Sequence, residues 1–247
     1  MEVCIDSVQS AIHAEKGGAV RVELCSNLME GGTTPSIGML KVIKRSVSIP
    51  VFVMIRPRGG DFIYTPKEFD VMYQDLCLLK EAGADGFVFG ILNQDGSVEQ
   101  EMCEELIDYA KPLPCTFHRA IDMTSNISEA LEKVISLGFK RVLTSGGDSS
   151  ALEGLPVITS MVKQAAERIV IMPGGGINEK NLQRILQQSG AKEFHCSARS
   201  SVSSHMTFKK EGISMGAALT PPEFSVKVTD ERKVKSLVTM ASDLWGT

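Results

Sequence analysis

The tripeptides Glu2-Val3-Cys4 and Glu23-Leu24-Cys25 each hold a carboxylate and a thiol two residues apart in a short apolar run. In a β-strand, residues two apart share a face. Each run therefore points an acid and a thiol one way, and Val3 or Leu24 the other. A thiolate is a soft ligand. Two of them on neighbouring strands, roughly 4.8 Å apart, would form a low-coordinate site suited to Cu(I) or zinc. The plainer alternative makes Cys4 and Cys25 small packing residues, with Glu2 and Arg21 as an interior ion pair that fixes register.

The same alternation sorts other polar side chains. With Val22 and Leu24 facing outward, Arg21, Glu23 and Cys25 face inward. Arg56 follows Phe52 and Met54 on the inner face. Thr116 and His118 point in while Cys115 and Phe117 point out. Glu193, His195 and Ser197 point in while Phe194 and Cys196 point out. Glu23 and His118 are the acid–base candidates, because a partly buried carboxyl or imidazole can titrate near neutral pH. No inward lysine is evident on the strands, which disfavours Schiff-base chemistry.

Four loops that follow strands are glycine-rich: EGGTTPS (30–36), RPRGGD (56–61), TSGGDSS (144–150) and PGGGI (173–177). Backbone N–H groups in such loops can cradle an anion. Gly174, Gly175 and Gly176, with Arg56, Arg119 and Ser197, form the expected anion-binding set. PGGGI leads into a helix expected over 178–189, whose N-terminus would add a favourable dipole. The chemistry on this side is that of an enzyme acting on a small anionic or phosphorylated metabolite, and copper binding is its competitor.

These side chains need a scaffold that repeats. Strand-like runs occur at 1–6, 20–25, 50–55, 86–92, 114–118, 140–144, 168–173 and 193–198. Between them lie amphipathic segments such as 66–82, 98–110 and 126–137, with apolar residues at three- and four-residue spacing. Gly18, Gly83, Gly138 and Gly190 each close a helix shortly before the next strand. Alternating strands and helices imply a parallel sheet. Eight units in 247 residues is the size of a single (β/α)8 barrel over 1–247. A doubly wound sheet would want a glycine fingerprint after the first strand, where DSVQSA stands instead. The stretch 199–227 reads as an irregular insertion or oligomer contact before a final helix near 229–244.

Composition narrows the function further. Lys and Arg number 26 against 30 Asp and Glu, for a net charge of −4, and no basic run offers a nucleic acid a footprint. No apolar run is long enough to span a bilayer. Met1 leads straight into a strand-like run, so no signal peptide is expected. The six cysteines show no CxxC and no tight spacing, which argues for reduced thiols rather than a disulfide framework or zinc ribbon.

In order along the chain, MEVCIDS, RVELCSNLMEGGTTPS, VFVMIRPRGGDF, FVFGILNQDG, TFHRAID, LTSGGDSS, PGGGI and EFHCSARS resemble the CutC copper homeostasis family, in its animal form. The resemblance runs from Met1 to about residue 230. It implies a (β/α)8 barrel, a cytoplasmic and also nuclear location, assembly into a homotetramer, and Cu(I) binding. The cysteines that the family proposes as copper ligands match Cys4 and Cys25.

Overall fold

The computed structural model describes residues 1–210, 212, 213, 215 and 222–246. Eight parallel strands form one sheet: β1 (Glu2–Ile5), β2 (Arg21–Leu24), β3 (Val51–Met54), β4 (Gly86–Phe89), β5 (Cys115–Phe117), β6 (Arg141–Thr144), β7 (Val170–Pro173) and β8 (His195–Cys196). Their spatial order is β7-β6-β5-β4-β3-β2-β1-β8, so the last strand returns beside the first. Gly174 packs against His195 across the remaining seam, where a Cβ on the glycine would lie 3.3 Å from the His195 Cβ. The result is a nearly closed (β/α)8 barrel, as the alternation implied.

The helices are α1 (Val8–Lys16), α2 (Ile37–Ser46), α3 (Pro66–Glu81), α4 (Gln100–Ala110), α5 (Ile127–Leu137), α6 (Leu155–Ala165), α7 (Leu182–Ser189) and α8 (Glu231–Trp245). Their starts are local. Thr65 accepts from the Glu68 N–H while the Glu68 carboxylate accepts from the Thr65 N–H, a reciprocal cap, and Pro66 fits the first helical position. Gly18, Gly83, Gly138 and Gly190 all take positive φ at or just beyond helix ends.

The pleat separates two cores. Val3, Ile5, Val22, Leu24, Val51, Val53, Phe87, Phe89, Phe117 and Val142 face the helices within the main core, with Cys115 and Phe194 on the same side. Inside the barrel, Cys25, Phe52, Met54 and Val88 form a smaller apolar cluster under Leu28. Gly86 leaves room for the Phe52 ring, whose atoms would come within 2.7 Å of an added Cβ.

Two expectations change in detail. The helix expected from residue 178 begins at Leu182. Asn178 and Asn181 instead turn back, each donating through its side-chain amide to the Gly176 carbonyl at 2.9 Å. The helix thus starts later in the sequence than expected, and its cap residue Asn181 meets the glycine loop at the Gly176 carbonyl. The insertion is not irregular at its ends: β9 (Arg199–Ser203) and β10 (Ser225–Thr229) pair as an antiparallel ribbon. Its centre lies partly outside the described residues. All six cysteines are free thiols, and among the described residues no helix is long and apolar enough to cross a membrane.

Candidate functional site

The strand ends open onto a cavity of about 490 Å³. Its walls fall into three sectors, each set by the register of the strands beneath.

The first sector is built on β8, β1 and β2. In the parallel ladders Glu2 stands opposite both Arg21 and His195, and Cys4 stands opposite Glu23. Arg21 is bonded to Glu2 and, at 2.6 Å, to Glu193, which also takes the Arg141 guanidinium at 2.8 Å. The interior Glu2–Arg21 pair expected from the sequence is thus present. Arg56 joins neither Glu2 nor Glu23. On the other side of Glu2, the His195 Nδ1 lies 2.8 Å from the second carboxylate oxygen. A carboxylate there holds an imidazole proton on Nδ1 and turns Nε2 towards the cavity. His195 Nε2 is 3.6 Å from the Glu23 carboxylate. The Cys4 Sγ, a Glu23 oxygen and a His195 ring nitrogen all lie within 4.8 Å of one another.

Burial sets the electrostatics of this corner. Burial, helped by the Glu2 charge, pushes Glu23 up, to about 7, against the pull of His195. One of its oxygens has no hydrogen-bond partner. Glu2 is equally buried, yet the His195 hydrogen bond and the Arg21 charge hold it down at about 2. Burial works against the His195 cation as well, but Cys4, Glu23 and Glu2 together raise its pKa well above the usual range. Cys25 donates to Glu23 across 3.5 Å, and burial with that carboxylate raises its thiol pKa well above normal.

The second sector is built on the ends of β3, β4 and β5. Arg56 donates from Nη1 to the Glu30 and Gly32 carbonyls, both at 2.8 Å, and from Nη2 to Gly60 at 3.0 Å. Its guanidinium stacks over Phe62, 5.1 Å from the ring centre. The His118 ring packs 4.8 Å from Phe62, and its Nδ1 accepts the Ala120 N–H at 3.3 Å. Burial, with the Arg56 charge, lowers the His118 pKa to about 3. His118 is therefore a neutral hydrogen-bonding group rather than one that titrates near pH 7. Gly90 allows the ring its place, since an added Cβ would meet His118 Nδ1 at 2.7 Å.

The third sector follows β5, β6 and β7. Arg119 donates to Asp122 at 2.8 Å and to Ser145 Oγ at 2.6 Å. Asp122 also receives the backbone N–H groups of Ser145 and Gly147. Gly175 and Gly176 line the cavity with Arg119 and Ser197, and both take positive φ. Gly174 serves the scaffold instead: its N–H donates to the Thr144 carbonyl, and its α-carbon packs under Leu143 and His195.

Of the expected site residues, the fold thus brings Cys4, Glu23, Arg56, His118, Arg119, Gly175, Gly176 and Ser197 to one cavity. Cys25 does not line it and lies in the interior apolar cluster with Phe52, Met54 and Val88. Sequence reasoning placed His195 inward but gave it no role. Its signal was the H-C-S alternation of the last strand. Phe62, on a loop, and Asp122, in a single short 3-10 turn, were missed because no periodicity points to either.

The CutC family model matches residues 1–200. The copper homeostasis protein cutC homologs of Mus musculus and Homo sapiens are 60% and 59% identical over 244 residues, covering 99% of this chain and 90% and 89% of theirs. The crystal structure of the CutC protein from Streptococcus agalactiae superposes with a TM-score of 0.76 at 36% identity, covering 79% of this chain and 97% of that one. The thiamine phosphate pyrophosphorylase of Pyrococcus furiosus, at 15% identity and a TM-score of 0.58, shares the fold alone. A family match over residues 1–200 and 60% identity along nearly the whole chain place this barrel in the CutC family.

Proposed function

We propose that this protein acts in copper homeostasis by binding one Cu(I) ion inside the barrel mouth. The observation that carries this reading is the convergence of Cys4, His195 and Glu23 within 4.8 Å. A cysteine thiolate and an imidazole nitrogen that has given up its proton to the incoming metal are soft and borderline donors, the set that suits Cu(I). The Glu2 carboxylate supports the reading further, because metal-binding imidazoles commonly give their other N–H to a carboxylate. The names of the mammalian relatives bring copper to the site. In this assignment Cys4 and His195 are the principal ligands. Glu23 stands beside them as a charge partner, and Cys25 is a second thiol one row away.

The test is a competition titration of Cu(I) against a chromogenic chelator. The samples are the intact protein, Cys4→Ser, His195→Gln and Cys25→Ser. Cys4→Ser and His195→Gln are each expected to weaken binding by more than about 100-fold, beyond the range that outer-shell changes produce. Stoichiometric binding that survives both changes would overturn the assignment.

A further inference from the structure

The β3–β5 wall of the cavity carries two buried donors that no group in the described residues satisfies. Arg56 is 5% exposed and His118 4%. Arg56 gives its Nη atoms to three backbone carbonyls, while its Nε–H has no partner. Among the described residues no carboxylate pairs with it, in contrast to Arg21, Arg58, Arg119, Arg141, Arg168 and Arg199. A buried cation without a counter-charge is costly. The carbonyls fix its geometry but do not neutralise it. His118 repeats the pattern. Its Nδ1 accepts the Ala120 N–H, so the proton sits on Nε2, and Nε2 has no partner. The Phe62 ring packs against both groups and keeps them aligned.

Both residues line the cavity, and so do Leu28, Met54, Phe62 and Leu143. At about 490 Å³ the space is of the size that small organic ligands take, and larger than a bare inorganic anion needs. The soft donors Cys4 and His195 belong to a different wall, built on β1 and β8. The two walls face one cavity with opposite demands, one for a metal cation and one for an acceptor.

We propose that the Arg56–His118 wall binds a small organic anion, a carboxylate or a phosphate monoester. Its charged group is taken by the Arg56 Nε–H and a further oxygen by the His118 Nε2–H. Its carbon skeleton lies against Phe62, Met54 and Leu143. The site is independent of copper and exists in the metal-free protein.

The experiment uses chelator-treated protein, labelled with nitrogen-15, and three probes: butyrate, n-propyl phosphate and inorganic phosphate. The arginine Nε–H and histidine side-chain resonances are followed in titrations of the intact chain. Saturable one-to-one binding of butyrate or propyl phosphate, with movement of the Arg56 and His118 signals, is expected. The tighter of the two assigns the headgroup, and inorganic phosphate is expected to bind more weakly than either. His118→Phe keeps the ring against Phe62 but removes the donor, and it is expected to weaken binding about tenfold or more. Neither organic probe moving those resonances, or an affinity unchanged in His118→Phe, would overturn the proposal. Because no metal is present, failure of the copper assignment leaves this outcome unaffected.

Discussion

Cys4 and Cys25 occupy successive rows of the barrel interior, not the same one. Cys4 stands opposite Glu23 in the β1–β2 ladder. The Cys25 N–H bonds to the Ile5 carbonyl, which puts that thiol one step nearer the mouth. Two residues along a strand is roughly 6.6 Å, so a ligand held by Cys4 meets Glu23 and His195 before Cys25. The Cys25→Ser variant is therefore expected to bind Cu(I) within about tenfold of the intact protein, while Cys4→Ser does not. Equal losses in the two chelator titrations would return the thiol pair to the centre of the site.

The Glu2 carboxylate orients His195 without facing the cavity. Glu2→Gln keeps its shape and alters the charge that fixes the imidazole. Cu(I) affinity is expected to fall by about 10–100-fold, the range for an outer-shell partner of a metal ligand. An affinity unchanged in the same chelator competition would remove Glu2 from the site.

Cysteine must lose its proton to bind metal, and imidazole must present a free lone pair. Apparent Cu(I) affinity should therefore rise with pH. Competition titrations at about pH 6 and pH 8 check this, with tighter binding expected at the higher value.

His118 supplies a separate pH dependence, of stability. Its pKa falls from 6.5 in the unfolded chain to about 3 in the fold. Between those values the unfolded chain binds the proton and the folded one does not, so stability drops as pH falls below 6.5 and is intact above it. At pH 5 the loss from this group is about 2 kcal/mol. Glu23 and His195, whose pKa values are raised, act in the opposite direction, so the check is the difference: between pH 7 and pH 5 in urea unfolding the intact protein should lose about 2 kcal/mol relative to His118→Phe.

The Arg21 guanidinium holds Glu2 and Glu193 together beneath the site. Arg21→Met leaves a buried carboxylate uncompensated, and a cost of about 3–5 kcal/mol in urea unfolding is expected. A loss below about 1 kcal/mol would mean that the network contributes little to the fold.

Gly154 shows a constraint of another kind. An added Cβ would lie 1.9 Å from the Ser145 carbonyl oxygen, a backbone atom that cannot swing away. Gly154→Ala is expected to cost about 3 kcal/mol or more. A lowered thermal midpoint would register the cost.

The strands and their inward faces were legible because a pleat has a period of two, whatever the fold around it. Arg21, Glu23, Cys25, Arg56, His118 and His195 all point where alternation sent them. The row each occupies was not legible, because stagger belongs to the closed barrel and not to any one strand. That is why Cys25 was paired with Cys4, and why His195, whose partner Glu2 is 193 residues away, was given no role. The helices α1, α2 and α6 left weaker traces. The buried side of α1 is Ser10, Ala11 and Ala14, small residues that draw no apolar stripe. The β9–β10 ribbon was missed because its side chains are largely exposed, so no buried face imposed an alternation.

The return of β8 to the side of β1 also sets an order in time. A chain emerging from the ribosome presents Cys4 and Glu23 early and His195 only near its end. Until β8 docks, the thiol and the carboxylate exist without the imidazole. On the proposed assignment, copper would be captured only by finished protein, and a fragment that stops short of residue 195 would carry Cys4 and Cys25 without the imidazole.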